Sequence, residues 1–176
     1  MTDLRADRGF AFSREHFQQM VEDTLAEARR LGASDASVEV SEGVGLSVSV
    51  RKGELESVER NRDKSLGIGV YIGRRRGSAS TSDFSPAAIR QTVRAAYDIA
   101  RFTAEDAAAG LPDVEDLATP DEAARDLGLF HPWDIDATEA LGIAQRCEAA
   151  ALATSALVTN SEGAGVSVQQ GHFRAG

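Results

Sequence analysis

The spacing of apolar residues changes at Gly32, and that change constrains the fold more than any other feature. From Ser13 to Leu31, the residues Phe17, Met20, Val21, Leu25, Ala28 and Leu31 recur every three or four positions, which gathers them on one side of a helix. Ser13 supplies an N-cap oxygen, and Gly32 accepts the left-handed conformation that closes many helices. Beyond it the period becomes two: Val38 and Val40, then Leu46, Val48 and Val50, alternate with polar residues, as in strands covered on one side. A helix followed by alternating strands selects the α+β class, with a largely antiparallel sheet of meander and hairpins and amphipathic helices packed on it.

Glycine and polar clusters punctuate the strand region. Gly43 and Gly45 are expected to turn the chain between two strands, and Lys52-Gly53 marks a further reversal. Glu54 to Arg60 reads as a third strand, Asn61 to Lys64 as a polar turn, Leu66 to Ile72 as a fourth strand and Gly77 to Ser82 as a fifth. Ser85-Pro86 then pairs a cap with proline at the first helical position. The helix it opens carries Ile89, Val93, Ala96, Tyr97 and Ala100 on one face and runs to about Phe102. Thr103 to Asp136 holds ten acids and, as its one Lys or Arg, Arg125, so it reads as an acidic arm with little core of its own. A third helix, about Thr138 to Ser155, places Leu141, Ala144, Cys147, Ala151 and Leu152 inward with Glu148 at the edge. Ser161-Glu162-Gly163-Ala164-Gly165-Val166-Ser167-Val168 echoes Ser41-Glu42-Gly43-Val44-Gly45-Leu46-Ser47-Val48, which predicts an internal helix-hairpin duplication whose second copy is incomplete. The expected division is an N-terminal arm (1–12), a helix-meander-helix unit (13–102), an acidic connecting arm (103–136), and a helix with the start of the second repeat (137–176). The hairpin expected near Val158 to Phe173 would have an open outer edge.

Charge and composition narrow the functional classes. The net charge of −9 opposes non-specific binding to a phosphate backbone. Cys147, the single cysteine, forms no internal disulfide or multi-cysteine zinc site, so a reducing cytoplasm is expected. The N-terminus, with Asp3, Arg5, Asp7 and Arg8, lacks the apolar core of a signal peptide, and no apolar run approaches the ~20 residues that cross a bilayer.

The candidate chemical groups are scattered. His16, His131 and His172 lack metal-ligand spacing. Arg74-Arg75-Arg76, with Arg60, Arg62 and Lys64, forms a basic stretch that lacks interleaved aromatic residues for base stacking. Ser78, Ser80, Thr81, Ser82 and Asp83 have no nearby histidine base. Gly67 and Gly69 lack the rest of a dinucleotide loop and mark close backbone approach. Cys147 reads as a small buried hydrophobe. Trp133, within His131-Pro132-Trp133-Asp134, is expected to anchor the arm to the domain body or to a partner, the domain body being favoured. No catalytic, cofactor-binding or metal-binding residue is assigned.

Several strings together resemble the TldD/PmbA family, also called modulators of DNA gyrase. They are Val50-Arg51-Lys52-Gly53-Glu54, Val58-Glu59-Arg60-Asn61-Arg62-Asp63-Lys64, Gly77-Ser78-Ala79-Ser80-Thr81-Ser82-Asp83, Ile99-Ala100-Arg101-Phe102-Thr103-Ala104-Glu105-Asp106, His131-Pro132-Trp133-Asp134 and Thr159-Asn160-Ser161-Glu162-Gly163. The resemblance is to the N-terminal part of the PmbA (TldE) branch and runs from about residue 15 to the end. It implies a cytoplasmic metalloprotease system acting on peptides or unfolded proteins, with zinc carried by a TldD-like partner. This chain would then serve assembly and substrate enclosure, without binding a membrane or nucleic acid. The rival readings are a nucleic-acid- or gyrase-associated regulatory module and a stand-alone enzyme with an unrecognised site.

Overall fold

The computed structural model describes residues 9–123 and 125–176, in the order α1 (Arg14–Leu31), β1 (Asp35–Arg51), β2 (Glu54–Ile72), β3 (Arg75–Thr81), α2 (Pro86–Phe102), a short 3-10 turn (Val114–Asp116), α3 (Pro120–Ala123), α4 (Ala137–Ala153) and β4 (Ala164–Ala175). Of the expected N-terminal arm, residues 1–8, including Asp3, Arg5, Asp7 and Arg8, lie outside the described residues.

Both long early helices begin and end where their caps lie. The Ser13 Oγ accepts the His16 amide at 3.2 Å, and Gly32, at φ +97°, returns its own amide to Arg29 O at 3.0 Å. The Ser85 Oγ likewise accepts the Ala88 amide, with Pro86 opening α2. Helix α4 starts on a reciprocal capping box between Asp136 and Glu139.

The strands are longer and fewer than the glycine punctuation suggests. Order in the sheet is β3-β2-β1-β4. Gly43 and Gly45 do not turn the chain: neither adopts positive φ, and both lie inside the 17-residue β1. A Cβ on Gly45 would overlap the Asn61 side chain, so this glycine answers a close approach. The expected turn at Asn61 to Lys64 is likewise continuous strand, because an exposed ladder of polar side chains carries the same composition as a turn. The reversals that do occur are tight. Lys52 (φ 54°) and Gly53 (φ 77°) join β1 to β2, the left-handed pair that matches the twist of a two-residue hairpin. Beyond the next turn, at Gly73 and Arg74, β3 pairs antiparallel with β2 from Ile72↔Arg75 to Leu66↔Thr81.

The terminal segment is one strand where a hairpin was expected. Val38 and Gly176 exchange both backbone hydrogen bonds, at 2.7 and 3.0 Å, so β4 finds an antiparallel partner in β1 of the same chain. The two echoing strings therefore fall in different settings. Gly43 sits within β1, whereas its counterpart Gly163 takes φ +113° just before β4, where a Cβ would overlap Val50 O.

Contacts divide the chain into two units, one made of Met1–Glu42, Asp63–Leu127 and His172–Gly176 and the other of Gly43–Arg62 and Gly128–Gly171. In the first, Phe17, Met20 and Val21 of α1 and Val93, Ala96 and Ala100 of α2 cover Val38, Val40, Leu66, Ile68 and Val70. Side chains such as Phe17 and Leu66 are fully buried, each contributing about 1.5–3 kcal/mol by leaving water. The second unit has a small core of Leu46, Val48 and Ala140, joined by Ile135, Leu141 and Val166.

Candidate functional site

In the first unit the helices cover one face of the sheet, while alternation turns the intervening residues to the other. Register places Gly69 opposite Ser78, Gly67 opposite Ser80, and Tyr71 opposite Arg76 on this open face. Ser37 of β1 comes alongside Gly69: its Oγ lies 3.0 Å from where a Cβ would stand. Glu39, two residues on, projects to the same side. The outcome is a groove of about 580 Å3 floored by glycine and rimmed by hydroxyls and two opposite charges, Arg76 and Glu39. The Arg76 guanidinium lies 5.9 Å from the Tyr71 ring centre.

This groove assembles groups that the sequence presents separately. Ser78, Ser80, Gly67, Gly69 and Arg76 come from different strings and converge, whereas Thr81 and Asp83 bond one another at the end of the strand, where the Asp83 amide donates to Thr81 Oγ1 at 3.0 Å. The basic stretch disperses. Arg74 donates to Ala109 O at 3.0 Å, Arg75 pairs with Glu105 at 3.2 Å, and Lys64 sits over the Phe12 and Phe84 rings.

Two buried carboxylates have roles that the spacing does not reveal. The apolar spacing puts Glu148 at the edge of its helix stripe and Cys147 inside it; the structure reverses them. Ala140, Ala144 and Glu148 form the buried line of α4, and Cys147 is exposed. The Glu148 carboxylate accepts the Lys52 amide at 2.9 Å and the Gly53 amide at 2.7 Å, gripping the hairpin turn. Those amides, Gly53 first, hold its carboxyl below the usual carboxylate range against the opposing effect of burial. The four-residue spacing from Ala140 through Ala144 to Glu148 was the available signal. Glu42, on β1, accepts the Ala11 and Phe12 amides at 2.9–3.2 Å. His172 Nε2 stands 3.5 Å from it, and the imidazole stacks on Phe17 at 4.5 Å. A pair 130 positions apart leaves no local signal.

Trp133 is 53% exposed along a small groove with Leu46, Val168 and Gln170; the arm residue that joins the core is Ile135. A β-branched aliphatic side chain fills that core without an indole N–H to satisfy.

A family model described as PmbA/TldA metallopeptidase domain 1 matches residues 36–100, the stretch that builds the groove and α2. In an alignment of 149 positions that covers 83% of its length, the chain is 48% identical to metalloprotease PmbA of Escherichia coli O157:H7. This chain belongs to the TldD/PmbA family. A metalloprotease PmbA homologue from Haemophilus influenzae is 44% identical over 85% of the chain. In each case the match spans 32% of the relative, so the chain covers about a third of the length of these family members. The fold is shared more widely. A Bacteroides thetaiotaomicron structure described as a modulator of DNA gyrase superposes with a TM-score of 0.63 at 19% identity, over 93% of this chain and 36% of that one. TldE from Thermococcus kodakarensis gives 0.60 at 12%, over 89% and 34%.

The metalloprotease name of these relatives implies a metal, and the donor set here does not fit one. Among the described residues no three His, Cys, Asp or Glu side chains come together to hold an ion. The histidines lie on α1, the acidic arm and β4. Among the described residues no helix is long and apolar enough to cross a membrane.

Proposed function

We propose that this chain is the N-terminal region of a PmbA/TldE-type subunit in a cytoplasmic TldD/TldE-type metalloprotease, and that it serves assembly and substrate enclosure while a TldD-like partner carries the zinc. The observation that carries this reading is the 48% identity to a PmbA protein across most of the chain. The fold shared with TldE agrees with it. Peptides or unfolded proteins are the substrates. An extended chain suits a site made from sheet surface, because strand spacing in the two matches.

The test is co-purification. A tagged protein carrying this sequence, isolated from its own cells, should retain a TldD-like subunit in about equal amount, as closed pairs do. Isolation alone, or only with copies of itself, would overturn the accessory role.

A further inference from the structure

The open-face groove contains groups that the chain does not use elsewhere. Arg74 and Arg75 are each engaged by the start of the acidic arm. Arg76 is different. Among the described residues its guanidinium has no hydrogen bond or ion pair; it lies over Tyr71, with its nitrogens 3.8–3.9 Å from the Cβ position of Gly69. The hydroxyls of Ser37, Ser78 and Ser80 are likewise without partners among the described residues.

The floor carries the second observation. Glycine inside a strand loses more chain entropy than other residues and packs nothing, so its presence there needs a cause. For Gly69 the cause is internal, since Ser37 occupies the space beside it. For Gly67 nothing lies within 4 Å of the Cβ position. The bare floor at Gly67 therefore leaves room for something outside the chain.

We propose that this groove binds an extended peptide through a carboxylate seated on Arg76. A guanidinium presents a planar fork of donors that matches a carboxylate bidentately, and at 5.9 Å from the Tyr71 ring centre its position over that ring is favoured by cation–π attraction. Along β3 the lining from Arg76 to Ser80 runs roughly 14 Å, the length of about four extended residues. Serine hydroxyls along it both donate and accept, which suits main-chain groups of many sequences. Glu39 at the far end repels a second acid and attracts a basic group, giving the bound segment a direction. The same carboxylate opposes a phosphate backbone, and Tyr71, only 6% exposed beneath Arg76, offers no face for base stacking. This inference rests on the peptide-substrate reading above. Its readout is direct binding to this chain, so its failure leaves pairing with a TldD-like subunit standing, and failed pairing does not move it.

The experiment is amide chemical-shift mapping on the 176-residue chain with three acetylated probes. These are Ser-Ala-Ser-Ala-Glu amide, Ser-Ala-Ser-Ala-Ala with a free C-terminus, and Ser-Ala-Ser-Ala-Gln amide. At least one acidic probe should shift Gly67, Gly69, Ser78 and Ser80, and the stronger of the two tells a side-chain from a C-terminal carboxylate. The glutamine probe and the Arg76→Gln variant should each bind about tenfold more weakly, the loss expected for one charged hydrogen-bonded pair. Gly67→Val should block binding while the melting temperature stays unchanged, because valine suits a strand and no atom lies within 4 Å of the Cβ position. Equal binding of the acidic and neutral probes, undiminished binding by either variant, shifts confined to other regions, or no shifts at millimolar peptide would overturn the proposal. So would a short oligothymidylate that binds the groove more tightly than the acidic probes.

Discussion

Replacing Gly77 with valine should abolish cooperative folding of the first unit. Helix α2 rests directly on β3 at this position: a Cβ on Gly77 would overlap Ala96 O and Ala100 N and stand 3.0 Å from Ile99 Cβ. The first two are helix backbone atoms, which cannot swing aside as a side-chain tip does. Accommodating valine means lifting α2 off the sheet and opening the contacts of Val93, Ala96 and Ala100, all fully buried. Such overpacking, with the lost burial added, costs about 4 kcal/mol or more, a large part of the 5–15 kcal/mol that typically holds a domain together. Urea denaturation followed by circular dichroism measures it. Gly67→Val is the matched control, a valine in the same sheet on the open face. A wild-type midpoint for Gly77→Val would contradict the packing described.

Removing the Glu148 carboxylate should free the β1–β2 turn. Lys52 sits at φ 54°, a strained conformation for a side-chain-bearing residue, and its amide and that of Gly53 both end on this one carboxylate. Glu148→Ala leaves two amides without an acceptor, and the expected loss is about 5–10 °C in melting temperature, with faster hydrogen exchange at Lys52 and Gly53. The pH dependence has a definite sign. The folded-state pKa is depressed, so the stabilisation is fully present above the unfolded-state pKa and drains away as pH falls through the lower, folded value. The gap between wild type and Glu148→Gln should therefore stay constant through neutral pH and narrow in acid below the usual carboxylate range. A gap that widens on acidification, or exchange at Lys52 and Gly53 unchanged by Glu148→Ala, would contradict the clamp.

The helices were legible because their signals are local. Ser13, Gly32, Ser85 and Pro86 act within one turn of the residues they cap, and the apolar period identifies the buried face. Strand boundaries were harder, since a glycine in a strand has two causes that composition does not separate. Lys52-Gly53 turns the chain; Gly45 admits the Asn61 side chain instead. The polar run from Asn61 to Lys64 read as a turn because a strand exposed on both sides lacks the alternation that reveals a half-buried one. The groove was legible only in pieces. Gly67, Gly69, Ser78, Ser80 and Arg76 were each visible, and it took the β2–β3 register to bring them onto one face. Glu148 was hidden by its type: a carboxylate on a helix stripe reads as an edge residue until the two amides it accepts, some 95 positions earlier, are brought to it.

The most direct measurement of the accessory role is peptide hydrolysis by a TldD-like subunit titrated with the protein carrying this sequence. Activity on an unfolded substrate should rise with added protein, level off near equal amounts of the two, and vanish with a chelator, because the proposed accessory role assigns the metal chemistry to the partner. Hydrolysis by the protein carrying this sequence alone, undiminished when the partner is left out, would contradict that assignment.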